Sequence, residues 1–300
     1  MIFTILFTFT IPTLSLGETK EKSPDLLSES AVVIEEQSGL TLYEKNADKE
    51  MYPASLTKIA TAIYVIENEN LDDKVTVSEN ARSVEGTRVY LEEGEEVSLE
   101  KLVQGLLINS GNDAGVAIAE HISGSEKEFA EDLNSFLEEE VGIEDTHFTN
   151  PHGLFDEDHV TTAKDLAKLT RYALKDPVFD EYFGTEELDW KGDAWETTLR
   201  SHHKLLIDQN ETSVTGGKTG YVDKSGNTLA TSAEKDGLEV IVITLKSESQ
   251  DIAYRETREL LDYTFKTYHS TERSSETDLF TIKGKDGISY RSTSLLQLIN

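Results

Sequence analysis

The chain has no cysteine among its 300 residues. That excludes disulfide staples, cysteine nucleophiles and thiolate zinc sites, and it leaves stability to the packed core. Basic residues are scarce: 28 Lys and Arg stand against 58 Asp and Glu, a formal net charge of −30. So anionic a surface repels phosphate, which excludes nucleic acid as a partner. Runs such as Glu92-Glu93-Gly94-Glu95-Glu96 and Glu138-Glu139-Glu140 read as solvated faces. An acidic shell of this kind suits saline or alkaline surroundings, where ions screen self-repulsion. His-Glu-x-x-His is missing, and His202 and His203 are adjacent rather than spaced as helical zinc ligands, so neither a metal nor another cofactor is expected. No internal repeat or heptad pattern is present. Beyond residues 1–17 no segment is apolar enough to cross a bilayer. That uncharged opening stretch ends in Ser15-Leu16-Gly17 and reads as an export signal cut before Glu18. An uncleaved N-terminal anchor is the alternative, and would be the only membrane contact.

Three short strings carry chemistry: Ser55-Leu56-Thr57-Lys58, Ser110-Gly111-Asn112 and Lys218-Thr219-Gly220. Ser55 follows Pro53-Ala54 and precedes an apolar-periodic run, Ile59 to Ile66, so it reads as the start of a helix. Unpaired N–H groups and the helix dipole there favour negative charge. Lys58 lies three residues on, and one helical turn brings its amine beside the Ser55 hydroxyl. A lysine with an ordinary pKa near ~10.4 is neutral only about once in 2,500 at pH 7. To act as a base Lys58 therefore has to be desolvated and close to a second cation, for which Lys218 is the expected partner. Ser110-Gly111-Asn112 joins two helical patterns, Leu99–Ile108, capped by Ser98, and a small-residue run from Asp113 to Ala119. Glycines flank Lys218-Thr219-Gly220 in a β-compatible segment and allow a ligand backbone to approach closely.

Together the strings are those of class A β-lactamases and penicillin-binding proteins, and the chain resembles the serine D-alanyl-D-alanine carboxypeptidases, the low-molecular-mass penicillin-binding proteins. The resemblance extends from about Ser30 to Tyr268. It includes Phe148-Thr149-Asn150-Pro151-His152-Gly153-Leu154, Thr162-Ala163-Lys164-Asp165-Leu166-Ala167, His203-Lys204-Leu205-Leu206 and the block Gly216–Leu245. It implies that Ser55 is the nucleophile, Lys58 the base, and Ser110 a proton relay to the leaving amine. Asn112 would bind the substrate's peptide group, and Lys218 and Thr219 its terminal carboxylate. The N–H groups of Ser55 and Tyr221, the latter placed by Gly220, would form the oxyanion hole. An arginine that family members often carry before the Leu205-Leu206 pair is absent, and Arg200, His202 and His203 are the local basic alternatives.

The implied reaction is removal of the terminal D-alanine from peptidoglycan stem peptides through an acyl-enzyme on Ser55, with β-lactam antibiotics as covalent inhibitors. It would run on the wall side of the cytoplasmic membrane. Alternatives are a DD-endopeptidase on cross-links, a β-lactamase, and a non-catalytic wall-binding or antibiotic-sensing module. A β-lactamase of class A would carry Glu-x-x-Leu-Asn. The nearest segment here, Thr185-Glu186-Glu187-Leu188-Asp189, has Thr and Asp in the two key places.

Two hairpins are expected, Ala31–Glu36 with Leu40–Glu44, and Thr228–Ala233 with Leu238–Leu245. Helical patterns fill Ser55–Asn68 and much of Leu99–Leu174, and a last helix spans Ile252–Tyr268. The expected fold class is α+β: one antiparallel sheet flanked by helices, plus a mainly helical lobe, as in the penicillin-binding protein and β-lactamase fold. Residues 18–29 read as a flexible lead-in, 30–269 as the catalytic domain, and 270–300 as a linker and short tail. That tail holds two strand-like pieces, Leu279–Ile282 and Ile288–Tyr290. Many relatives carry a β-rich domain and an amphipathic anchor there, for which the tail is too short.

Overall fold

The computed structural model describes residues 22–193, 195–208, 210–270, 279–284 and 289–293. The expected export signal and its cleavage position lie outside the described residues. A five-stranded antiparallel sheet forms the frame, in the order β2-β1-β9-β8-β7. Its strands are β1 (Ser30–Glu35), β2 (Thr41–Lys45), β7 (Val214–Val222), β8 (Gly226–Lys235) and β9 (Leu238–Ser247). Both expected hairpins are present, and β7 occupies one edge.

Strand side chains alternate between faces, and the two faces here meet different partners. Val32, Ile34, Ile241, Ile243 and Leu245 join the core of the helical lobe. Ala31, Val33, Val240 and Val242 pack instead on Ala253, Tyr254, Leu260 and Leu261 of the last helix, α8 (Gln250–Thr267). Because both faces are covered, β9 reads as an unbroken apolar run rather than an alternating one.

The lobe is built from α1 (Thr57–Asn68), α2 (Glu79–Ser83), α3 (Leu99–Ile108), α4 (Asn112–Ser123), α5 (Glu126–Phe136), α6 (Ala163–Ala173) and α7 (Pro177–Phe183). Side-chain oxygens of Ser98, Ser125, Thr162, Asp176 and Ser249 accept first-turn N–H groups of α3, α5, α6, α7 and α8, each cap contributing about 1 kcal/mol. Two short ribbons complete this region: β3 (Lys74–Thr76) with β4 (Glu96–Ser98), and β5 (Glu187–Lys191) with β6 (Glu196–Arg200). The second of these had no clear sequence signature, because its pairing buries only Trp190 and Leu199.

Contacts at both chain ends cross the expected boundaries. The lead-in is anchored before Ser30 is reached. Leu26 and Ser28 are buried, and the buried Glu256 carboxylate on α8 accepts the N–H groups of Leu27 and Ser28. Lys45 Nζ donates to the carbonyls of Leu26 and Ser28 at 2.6 and 2.8 Å. Satisfied backbone polar groups thus hold residues that composition alone marks as a polar lead-in. At the other end α8 stops at Thr267, and β10 (Tyr268–Ser270) straddles the expected boundary at 269. It pairs with β11 (Leu279–Gly284), which pairs with β12 (Ser289–Thr293), so the two strand-like pieces belong to a three-stranded sheet.

Candidate active site

All eight site residues named from the sequence converge on one cleft between the β7 edge and the helical lobe. The cleft encloses about 500 Å³ and is lined by Ser55, Ser110, His202, Thr219, Gly220 and Tyr221, among others. Ser55 sits on a single 3₁₀ turn, Ala54–Leu56, that leads into α1, rather than in the first α-helical turn. The shift arises from Ala54, whose φ of 50° breaks the helical path. Two hydroxyls hold this turn: Thr57 Oγ1 donates to the Ala54 carbonyl at 2.9 Å, and Thr228 Oγ1 of β8 donates to that of Pro53 at 3.0 Å.

Lys58 lies one turn further and is fully buried. Its Nζ is 2.9 Å from Ser55 Oγ, 2.7 Å from Asn112 Oδ1 and 2.7 Å from the His152 carbonyl oxygen. The count of partners is informative. A neutral amine has two N–H groups and one lone pair, and two of these partners can only accept. The lone pair is then left for the Ser55 O–H, which is the arrangement a general base requires. Burial, reinforced by the Lys218 charge and opposed by Asp113, holds the Lys58 pKa well below the usual lysine range.

Ser110 and Lys218 form the opposite wall. Ser110 is in the left-handed region, φ 62°, between α3 and α4, and this places its Oγ 2.9 Å from Lys218 Nζ. Lys218 also donates to its neighbour's carbonyl, Thr219 O, at 3.0 Å. Burial pushes its pKa down to about 7. Gly220 lies where β7 passes Ser55: a Cβ there would stand 2.8 Å from the Ser55 nitrogen and 2.4 Å from Thr228 Oγ1. Only glycine leaves that nitrogen open to a ligand.

Asn112 is engaged on both ends of its amide. Its Oδ1 accepts from Lys58, and its Nδ2 donates to the Glu85 carbonyl at 2.6 Å. Its place, at the start of α4, is therefore between Lys58 and the loop that carries Glu85, which the sequence did not mark. Asp113, next in line, is wholly buried, and its carboxylate accepts the N–H groups of Val89 at 2.9 Å and Leu91 at 3.1 Å. These bonds fold the loop that carries Thr87 into the cleft wall.

Among the three basic residues left open by the sequence, position decides. Arg200 points outward and pairs with Glu187 at 3.1 Å. His203 is buried, with Nε2 2.8 Å from Thr231 Oγ1 and its ring on Tyr254. His202 alone of the three lines the cleft. Desolvation by the cleft walls, and then the charges of Lys218 and Lys58, push its pKa down to about 4. At neutral pH its ring is therefore uncharged.

Asn150, His152 and Gly153 behave as structural hydrogen-bonders beside the cleft. Asn150 Oδ1 accepts the N–H of Gly153 at 2.7 Å, and Gly153, at φ 86°, lies so close that a Cβ would stand 1.9 Å from the Ala54 carbonyl oxygen. Asn before a φ-positive Gly marks such a turn in sequence, but nothing there says that the turn presses on the nucleophile. The Glu187–Asp189 segment is strand β5, and none of residues 185–189 lines the cleft. Among the described residues, no group of three His, Cys, Asp or Glu could hold a metal. No helix among them is long and apolar enough to cross a membrane.

A serine beside a buried lysine of lowered pKa on one wall, facing a second serine and a lysine of the sheet edge, fits a serine acyl-transferase of the penicillin-binding type. The chain belongs to the D-alanyl-D-alanine carboxypeptidase family Peptidase_S11, whose model matches residues 17–249, and it is accordingly a serine peptidase, a hydrolase. It is 33% identical over 277 residues to D-alanyl-D-alanine carboxypeptidase DacF of Bacillus subtilis, covering 90% of this chain and 70% of that protein. It is 32% identical to DacD of Escherichia coli over 250 residues, covering 79% of this chain and 63% of that protein. Among solved structures, the DacD carboxypeptidase of Francisella tularensis superposes with a TM-score of 0.78 at 25% identity, covering 92% of this chain and 83% of that one. The Streptomyces K15 DD-transpeptidase superposes with a TM-score of 0.76 at 26% identity, covering 81% of this chain and 99% of that one.

Proposed function

We propose that the unit from Ser30 to His269 is exported and removes the terminal D-alanine from peptidoglycan stem peptides, and that Ser55 carries the acyl group. Ser55 Oγ attacks the carbonyl of the terminal D-Ala–D-Ala bond while Lys58 Nζ takes its proton. The N–H groups of Ser55 and Tyr221 receive the developing oxyanion. Ser110, linked to Lys218, returns a proton to the departing D-alanine nitrogen, and water then hydrolyses the ester. Lys218, Thr219 and His202 hold the terminal carboxylate of the substrate.

The observation that carries this reading is the saturation of Lys58: two obligate acceptors leave its lone pair facing Ser55. The test is intact-protein mass spectrometry after incubation with penicillin, beside turnover of a pentapeptide ending in D-Ala–D-Ala. One covalent penicillin per chain, absent in Ser55→Ala, together with released D-alanine, supports the assignment. Wild-type protein that stays unmodified and releases nothing removes it.

A further inference from the structure

The general base is held by a main-chain carbonyl, and that carbonyl belongs to a residue whose side chain has a partner of its own. His152 is 4% exposed, and its Nδ1 accepts the Leu154 N–H at 3.2 Å. The proton of the neutral ring is therefore on Nε2, which lies 2.8 Å from Glu126 Oε2. Glu126 is the first residue of α5, where the free N–H groups and dipole of the helix favour a carboxylate. The hydrogen bond from His152 keeps its pKa low. The chain between the ring and Lys58 is equally constrained. The peptide joining His152 to Gly153 presents its carbonyl to Lys58 at 2.7 Å and its N–H to Asn150 Oδ1 at 2.7 Å. Just upstream, the Pro151 carbonyl accepts from Thr61 of α1 at 2.7 Å. Ring and peptide plane thus form one stiff unit, and among the described residues Glu126 is the polar partner that holds its outer end, Nε2.

We propose that Glu126 and His152 are a positioning pair for the acylation step: Glu126 fixes the imidazole, the imidazole fixes the His152 carbonyl, and the carbonyl fixes the direction of the Lys58 lone pair. The pair touches neither substrate nor nucleophile. It works because small displacements of a base are costly, on the order of 10²-fold per ångström in well-aligned sites. The proposal rests on the assignment of Lys58 as the base made above.

The test compares Glu126→Ala, Glu126→Gln and Glu126→Asp for penicillin acylation and pentapeptide turnover. Each variant is checked by circular dichroism and thermal unfolding. Glu126→Ala is expected to lower both the acylation rate constant and kcat about tenfold with KM within about twofold of wild type, as for a group acting in the transition state. Glu126→Gln keeps an acceptor for Nε2–H and should return to within about threefold of wild type. Glu126→Asp, one methylene short, should fall between them and also serves if the alanine variant folds poorly. Glu126→Ala acylating at the wild-type rate would overturn the proposal. So would a Gln variant as slow as the Ala variant, or a change confined to KM. Failure of the wild-type protein itself to be acylated would instead refute the assignment of the base, so the two failures are distinguishable.

Discussion

Lys58 and Lys218 are both fully buried, yet the first has three hydrogen-bond partners from three separate segments, and the second has one side-chain partner besides its neighbour's carbonyl. Burial is the main cause that lowers both pKa values, with the Lys218 charge adding to it at Lys58. What separates them is the way their bonding capacity is used. Lys58 has two acceptors that consume its N–H groups when it is neutral and one hydroxyl left for its lone pair, the arrangement that the proposed proton abstraction requires. Lys218 has Ser110 Oγ and the Thr219 carbonyl as its partners, which leaves one N–H of a charged amine for the anion that the proposed function brings to it. Two identical side chains in similar dielectric surroundings thus acquire different chemistry from the number and kind of fixed neighbours.

The sharpest way to break this comparison is to replace each lysine in turn. Lys58→Met should reduce penicillin acylation by roughly 10³-fold or more, within the range of a lost general base. Lys58→Arg should not restore it, since guanidinium does not deprotonate. Stopped-flow or quenched acylation kinetics would read both. Retention of more than a tenth of wild-type rate in Lys58→Met would show that another group takes the proton.

Next in size is Gly220→Ala. A Cβ 2.8 Å from the Ser55 nitrogen would crowd the oxyanion position, and acylation should fall by about 10²-fold, the cost of roughly one lost donor. Thermal unfolding should change much less than the rate.

A subtler effect concerns pH. The Lys218 charge is one of the causes that hold the Lys58 pKa down, so Lys218→Met should let that pKa rise. Activity needs Lys58 unprotonated, and the acidic limb of the acylation profile should therefore move to higher pH. The apparent values belong to the coupled pair rather than to either residue. An unmoved or downward-shifted limb in Lys218→Met would mean that the two amines do not sense one another.

The last effect is on stability and leaves the two lysines aside. Burial pushes His159 and His203 down to about 3 each. Above about pH 6.5 both are neutral folded or unfolded, and they contribute nothing to pH dependence. Between that value and about 3 only the unfolded chain takes up their protons, so stability falls by about 1.4 kcal/mol per pH unit for each. Urea midpoints at pH 7, 5 and 4 should decline accordingly, and His203→Asn should flatten the slope. A midpoint constant across that window would contradict neutral burial of both rings.

Features encoded within a few residues were legible from the sequence. Ser55 and Lys58 are neighbours because one turn separates them, the hairpins follow from β-branched runs joined across Gly-containing turns, and Ser98 caps α3 as its position suggests. The membership of Lys218 and Ser110 in one site was legible only through the motif set, since they stand 108 positions apart in the chain. Other parts had no residue signature at all. The acceptor that fixes Lys58 is a backbone carbonyl, which every residue owns. Asp113 reads as one acid among 58, and only its burial against Val89 and Leu91 gives it a task. The choice of His202 over Arg200 and His203 depends on how the chain leaves β6 and approaches β7, because adjacent side chains diverge there to solvent, cleft and core.

By itself, then, the sequence determined which chemical groups exist and which of them local geometry must pair: a hydroxyl with an amine, a glycine with a left-handed turn, an apolar run with a covered strand. Tertiary structure alone decided protonation, orientation and access. Those properties depend on the total dielectric and the total set of hydrogen-bond partners around an atom, and for Lys58 these are supplied by segments 54 and 94 residues away along the chain.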